Sequence, residues 1–477
     1  MTPAPAAGLP APHEVVEAAL DAAGGRGCVV VVEESNEAEV RFANNSVTTN
    51  GLRRDRRVTV VSFAEVAGGV SAGVARHGGD VDVESLVAAA RADALGSEPA
   101  DDAAPLLGPG DVVVPAGGRG VQRFEDPPGR SDLGVLDGVL SGLGAAFERA
   151  GRPGVDRVLA GFAEHGVSTV YLGTSTGVRL AHRQPTGALH LVARSRDGSR
   201  SAWAGRGTER FADVSVDELE EQLAGRLEVA RNRIDVAAGR HQTVLPPEAT
   251  ADLMVALVEA MGGQDAEDGR TVFSRRGGGT RVGEVVARLP FDLRSDPAEA
   301  GLACTPFVVA SASSAEQSVF DNGLPLARTN WVRAGRLERL RYHRAGAARS
   351  QVEPTPPIDN VTLELPGATG STDDLVRGTE RGLLVTCLWY IREVDPTTLL
   401  LTGLTRDGVY VVEDGRVVGV ANNFRFNESP LDLLDRATEA GASVRALGRE
   451  FGEWLNRAAM PPLRIPDFNM SSVSQAS

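Results

Sequence analysis

The sequence predicts an α+β chain of two domains, and three observations carry that prediction. A chain of 477 residues exceeds what one ordinary hydrophobic core serves. Residues 13–238 mix helix-period segments with runs of alternating β-branched residues, and the stretch AAGRHQTVLPPE, 237–248, reads as a boundary. Residues 239–477 open on one helix and are then strand-rich. Their hairpin signals, DNG at 321–323 and DG at 414–415, favour antiparallel neighbours over βαβ units. The expected division is a short disordered lead over 1–12, an N-terminal domain over 13–238 and a C-terminal β-rich domain over 239–477.

The elements follow in order. Residues 13–23 form a first helix, stopped by Gly24 and Gly25. The pieces CVVVVEES, EVRFA, SVTT, RVTVVSF and GVSAGV read as short strands, with turns at Asn44 and Asn45 and at Asn50 and Gly51. Helix returns over 83–95, a Pro-, Gly- and Asp-rich loop spans 96–131, and a helix covers 133–150. VSTVYLG, VRLAH, ALHLVARS and SAWAG are strands up to about residue 205. Ser215 with Glu218 predicts a capping box for a helix running to about Ala238. Residues 246–263 form the best-marked helix: Pro246 and Pro247 suit its start, and Gly262 and Gly263 its end. Leu253, Met254, Leu257, Val258 and Met261 line one face, and the only charges inside are Asp252 and Glu259. Late in the chain, VYVVEDGRVVGVANNFRF reads as a plain hairpin.

Composition narrows the function classes. With 42% hydrophobic and 24% charged residues the chain is globular in type. A net charge of −15 disfavours a phosphate backbone or an anionic membrane as partner, so neither nucleic acid nor membrane is expected. All 49 basic residues are Arg, which removes Schiff-base, P-loop-lysine and lysine-base chemistry. Cys28, Cys304 and Cys387 are too far apart for a CxxC, and an odd, sparse set of thiols fits a reducing cytosol. The N-terminus lacks the basic and apolar regions of a secretion signal, and no apolar run approaches the roughly 20 residues of a membrane helix. The expected location is cytoplasmic.

Candidate chemistry is sparse. GTSTG, residues 173–177, matches G-x-S-x-G, but a nucleophile elbow needs a helix directly after it, and VRLAHRQPTG reads as another strand. A Gly-flanked turn is the better account. An autonomous serine hydrolase using Ser175 with His182 or His190 is the alternative. His13 and Glu14 start a zincin motif whose fifth position is Glu17 instead of His, on a helix beside the lead, so a solvated face is the better reading. None of the seven His is spaced for a helical metal site. His182 and His190 lie on adjacent strand segments that can approach. Cys387, in the apolar run GLLVTCLWY, reads as a buried small hydrophobe. The glycine groups at 205–207 and 277–279 lack the strand–helix setting of a nucleotide loop.

Several stretches, taken in order, resemble the TldD/PmbA family. They are RFANNSVTTNG (41–51), FADVSVDELEEQLAGRLEVARN (211–232), VLPPEATADLMVALVEAMGG (244–263), PGATGSTDDLVRGTERGLLVTCLWY (366–390) and TGLTRDGVYVVEDGRVVGV (402–420). The resemblance spans nearly the whole chain. It implies an N-terminal α/β domain followed by a C-terminal domain of mainly antiparallel sheet.

TldD-type members carry H-E-x-x-x-H on the central helix, with a later Cys as third zinc ligand and the Glu as general base on zinc-bound water. TldE (PmbA) members lack this set and pair with TldD in a peptidase for unfolded or flexible peptides. Counting from Pro247 and Glu248, the first His position is Val255, the base position Ala256 and the second His position Ala260, and no Cys follows Cys387. Val and Ala have no lone pairs to offer. The resemblance therefore implies a TldE-like subunit with no cofactor of its own, zinc on a TldD-type partner, and a heterodimer acting on peptide substrates. It also leaves open a tailoring or scaffold role in the maturation of one natural-product peptide.

Overall fold

A computed structural model describes residues 9–112 and 120–474. Residues 1–8 of the expected lead and the 113–119 part of the expected loop lie outside the described residues. The first helix, α1 (Pro12–Ala23), starts with Pro at its N-terminus and ends on Gly24 at φ 61°. It buries Val15, Val16, Ala19 and Leu20. No helix among the described residues is long and apolar enough to cross a membrane.

The five short strands expected after α1 are three long ones. β1 (Cys28–Ala43) turns at Asn44 and Asn45, both at positive φ, into β2 (Ser46–Val66), which leads to β3 (Gly69–Gly78). Asn50 and Gly51 form no turn; they sit inside β2, in register with Val40 and Glu39. The ladder from β1 runs on past them, with one register shift between Arg41 and Phe42, so one reversal at 44–45 suffices. Helix α2 (Val83–Gly96), capped by Asp82 on the Ser85 N–H, lies so close on β3 that a Cβ on Gly73 would stand 2.0 Å from the Ala94 nitrogen.

After the short β4 (Val121–Gln122) come α3 (Asp137–Gly151), β5 (Val158–Thr174), β6 (Arg179–Arg194), β7 (Ser201–Thr208) and α4 (Val216–Val229). The strand expectations VRLAH and ALHLVARS merge into β6, which runs straight through Pro185. Helix α4 ends at Val229, nine residues short of the expected Ala238, because its leucine spacing stops at Leu227. The Ser215 hydroxyl accepts the Glu218 N–H, but among the described residues the reciprocal Glu218 bond does not form.

The first sheet has the order β3-β2-β1-β5-β6-β4, with β7 also on β6, and every pair is antiparallel. One face packs under helices: Val30, Val32, Val58 and Val60 meet α1 and α2, and Ala38, Val40, Leu159 and Leu191 meet α3 and α4. Val29, Val31, Val61 and Phe63 point the other way, onto Phe307, Val319 and Phe320.

The rest of the chain forms a ten-stranded and a six-stranded sheet. The stretch read as a boundary is a central strand: β9 (Gly239–Leu245) lies between Leu463–Val473, antiparallel, and Arg381–Val385, parallel. β8 (Arg233–Ile234) already pairs with Arg416–Ala421, so the chain enters this sheet before residue 239. Asp414 and Gly415, both at positive φ, do close a hairpin. Phe424–Glu428 leaves that hairpin and pairs with Leu400–Thr405 and Leu463–Val473. Asp321 and Asn322 make no hairpin. Both are buried: Asp321 accepts from Arg344 Nε at 2.7 Å, and Asn322 bonds the backbone of Ala310. Asp321 does close a turn, its carbonyl accepting the Leu324 N–H at 2.8 Å, but the residues after the turn pair with the earlier segment 306–308 and not with those just before it. The whole is α+β, as expected.

Candidate functional site

Helix α5 (Pro247–Glu259) follows β9 directly and carries the positions singled out in the sequence. It stops at Glu259, before the expected 263. Gly262 and Gly263 instead lead into the short α6 (Gly263–Glu267), and a Cβ on Gly263 would stand 2.0 Å from the Tyr342 ring. Leu253, Met254, Leu257 and Met261 are buried in the C-terminal core. The opposite side faces a cavity of about 550 Å³.

Three elements supply most of that cavity's wall, and Asp265 of α6 with Arg270, Thr271, Pro396 and Leu401 completes it. α5 and its C-terminus bring Val255, Ala256, Glu259 and Ala260. The strand Leu388–Asp395 brings Ile391, Arg392 and Glu393. A turn late in the chain brings Phe451 and Trp454. Among the described residues the strand is the edge of the ten-stranded sheet, paired on one side only with Leu400–Thr405.

Asp252 ties the late turn to α5. Its carboxylate, 1% exposed, accepts backbone N–H bonds from Arg449 at 2.8 Å and from Glu450 and Phe451 at 3.0 Å each. Burial raises its pKa to about 7, against the three N–H donors, which favour the charged form. Arg449 then reaches over the rings of Trp389, at 4.5 Å, and Trp203, at 5.5 Å. In the sequence Asp252 stands out as one of two charges inside the helix, with no role attached. Its signal was an acid beside Leu253 on the apolar stripe, where a carboxylate must find donors.

Against this geometry stand the comparisons with known proteins. Residues 238–472 match the PmbA/TldA metallopeptidase C-terminal domain. The chain belongs to the TldD/PmbA family. Three solved structures share the fold of this TldD/PmbA member. TldE from Thermococcus kodakarensis is 16% identical, with a TM-score of 0.77 over 95% of this chain and 99% of its own. A Thermotoga maritima protein named as a modulator of DNA gyrase is 16% identical, with a TM-score of 0.75 over 96% and 99%. A Bacteroides thetaiotaomicron protein of the same description is 14% identical, with a TM-score of 0.75 over 96% and 98%. No curated protein sequence matches the chain.

Zinc, which the family resemblance implies, does not fit the residues at this cavity. Val255, Ala256 and Ala260 bring methyl groups to its wall, and its only side-chain oxygens of acid type are those of Glu259, Asp265 and Glu393. Among the described residues no three His, Cys, Asp or Glu side chains converge as a metal site needs. Cys387 is buried against this region, and burial pushes its thiol far up, away from the thiolate a metal takes.

The other candidates lie elsewhere in this family member. Ser175 sits in the turn between β5 and β6. Its hydroxyl accepts the Cys28 N–H at 3.0 Å, its own N–H donates to the Cys28 carbonyl, and a strand, not a helix, follows. His182 and His190 share β6 instead of adjacent strands. Eight residues apart, they are separated by about 26 Å along it, so they do not meet. His182 Nε2 lies 3.1 Å from Gln184 Oε1, and His190 stacks on Phe162. Burial lowers the pKa of both, that of His190 to about 4. On α1, Glu14 accepts the Ala11 N–H and Glu17 takes a two-pronged bond from Arg179, while His13 packs edge-on to Phe124.

Proposed function

We propose that this chain is a TldE-like, non-catalytic subunit that pairs with a TldD-type zinc metallopeptidase acting on unfolded or flexible peptides. One observation carries the reading. The three positions where the family resemblance puts two zinc ligands and a general base all line one cavity, Val255 and Ala256 from a well-formed helix and Ala260 from its C-terminal cap, and none has a side-chain donor atom. The helix keeps its packing role and the cleft keeps its shape, while the chemistry belongs to the partner. This chain supplies one wall of a shared cleft and holds no zinc itself.

The test is hydrolysis of an unstructured peptide by four samples: this chain, a TldD-type chain, the two co-expressed, and a triple variant of this chain, Val255→His, Ala256→Glu and Ala260→His, alone. Activity is expected only from the pair, which should also co-purify. The triple variant should stay inactive because it lacks a third ligand and the neighbours that orient a metal site. Chelator-sensitive cleavage by the unmodified chain alone, as fast as by the pair, overturns the proposal.

A further inference from the structure

The cavity beside α5 presents two exposed carboxylates on its wall. Glu259, on the last turn of α5, and Glu393, on the edge strand, both line it, and among the described residues neither side chain has a hydrogen bond or an ion-pair partner. Arg341, whose charge reaches Glu259, is bonded to Glu316 and to the Glu259 carbonyl, and the two guanidinium groups that line the cavity are committed as well. Arg270 binds Asp265 at 2.5 Å and Asp268 at 2.9 Å, and Arg392 binds Glu450 at 3.3 Å. Burial pushes the Glu393 carboxyl up, and Glu259 and Asp395 push it further, so the two free carboxylates feel each other across the cavity. A cation placed between them relieves both.

The remaining walls define what kind of cation. Val255, Ala256, Ala260 and Ile391 are apolar, and Trp454 is 75% exposed at the rim. An apolar wall under two carboxylates suits a side chain with a methylene stem and a charged head, and an open indole face adds a cation–π contact. A bare metal ion finds only two free carboxylates and no nitrogen or sulfur donor. The space is also longer than one side chain. Thr271 is shared with a second cavity of about 700 Å³, and Thr398 joins that one to a third of about 520 Å³. Beside the first runs the half-paired edge strand Leu388–Asp395, whose free backbone groups suit an extended chain.

We propose that the cavity walled by Val255, Ala256 and Ala260 recognises an arginine or lysine side chain of an extended peptide, with Glu259 and Glu393 as counter-charges and Trp454 against the stem. The inference rests on the reading of this cleft as a peptide-binding one, and it adds the chemical class of peptide.

Three unstructured peptides that differ at one central residue, Arg, Gln or Glu, test it by titration against the chain and against its pair with a TldD-type subunit. The Arg peptide is expected to bind about tenfold or more tightly than the Gln peptide, with the advantage shrinking as salt rises. The double variant Glu259→Gln with Glu393→Gln should lose that advantage while binding the Gln peptide as the unmodified chain does, and an unchanged melting temperature confirms that it folds. Equal or tighter binding of the Gln or Glu peptide overturns the proposal. So does an Arg preference that survives in the double variant, or no Arg preference in either the chain or the pair. N-acetyl-arginine amide binding as tightly as the peptide overturns the extended occupant. These outcomes are independent of whether the pair forms or cleaves, so the two proposals fail separately.

Discussion

Asp252 is where one side chain joins local structure to the site. Three backbone N–H groups from 449–451 end on it, and the turn they belong to carries Phe451 and Trp454 into the cavity. Its pKa is raised to about 7 from an ordinary carboxylate value, chiefly by burial. Between about pH 4 and 7 the folded state therefore holds a proton that the unfolded state has lost. By linkage this carboxyl makes folding less favourable as pH rises through that window. Asp252→Asn keeps the shape and removes the titration. In urea unfolding at a series of pH values, the difference in stability between the two proteins should move in favour of Asn from pH 4 to 7. A flat difference would mean that the carboxyl titrates alike in both states.

At the scale of elements, α5 makes the sharpest separation between packing and chemistry. Leu257 is 1% exposed and packs with Leu253 and Met254 in the largest core cluster, on the side away from the cavity. Leu257→Ala should cost about 3 kcal/mol by transfer and cavity terms. Leu257→Asp should cost more, since it also buries an unpaired charge. Chemical denaturation measures both, and a loss under about 1 kcal/mol for Leu257→Asp would show that this face is not core. The longer helices were legible in the sequence because their signals are local: Ser215 at an N-terminus, Gly24 at a C-terminus, apolar residues at helical spacing. The short helices Arg344–Ser350, Thr372–Arg377 and Pro430–Arg436, of two turns or fewer, are too brief to show that spacing and were not expected. The strands were less so. Asn50 and Gly51 carry the turn chemistry of a hairpin, yet the partner that keeps them extended is 10–12 residues away. β9 looked like a linker because its two neighbours come from residues 381–385 and 463–473. The site divides the same way. Val255, Ala256 and Ala260 could be placed by counting along one helix. Glu393 and Trp454, more than a hundred residues downstream, could not.

At the scale of the molecule, the two halves share a core. Val29, Val31, Val61 and Phe63 on the free face of the first sheet pack against Phe307, Val319 and Phe320 from the second half. The rings of Phe63 and Phe320 are 4.6 Å apart, and Phe320 is 2% exposed. Arg344 locks the same segment by bonding Asp321 and the Phe320 carbonyl. Neither half can leave without baring a continuous apolar face, so the chain should unfold in one transition, with circular dichroism and tryptophan fluorescence coincident. Phe320→Ala removes the ring and leaves the backbone bonds, and should cost about 3–5 kcal/mol. The informative readout is native-state hydrogen exchange in β1 and α5, one in each half. If the core is shared, the most protected amides of both elements lose the same free energy in the variant. Loosening of β1 with α5 unchanged would mean that the halves are separately stable and that the interface is a contact between two domains, not part of one folding unit.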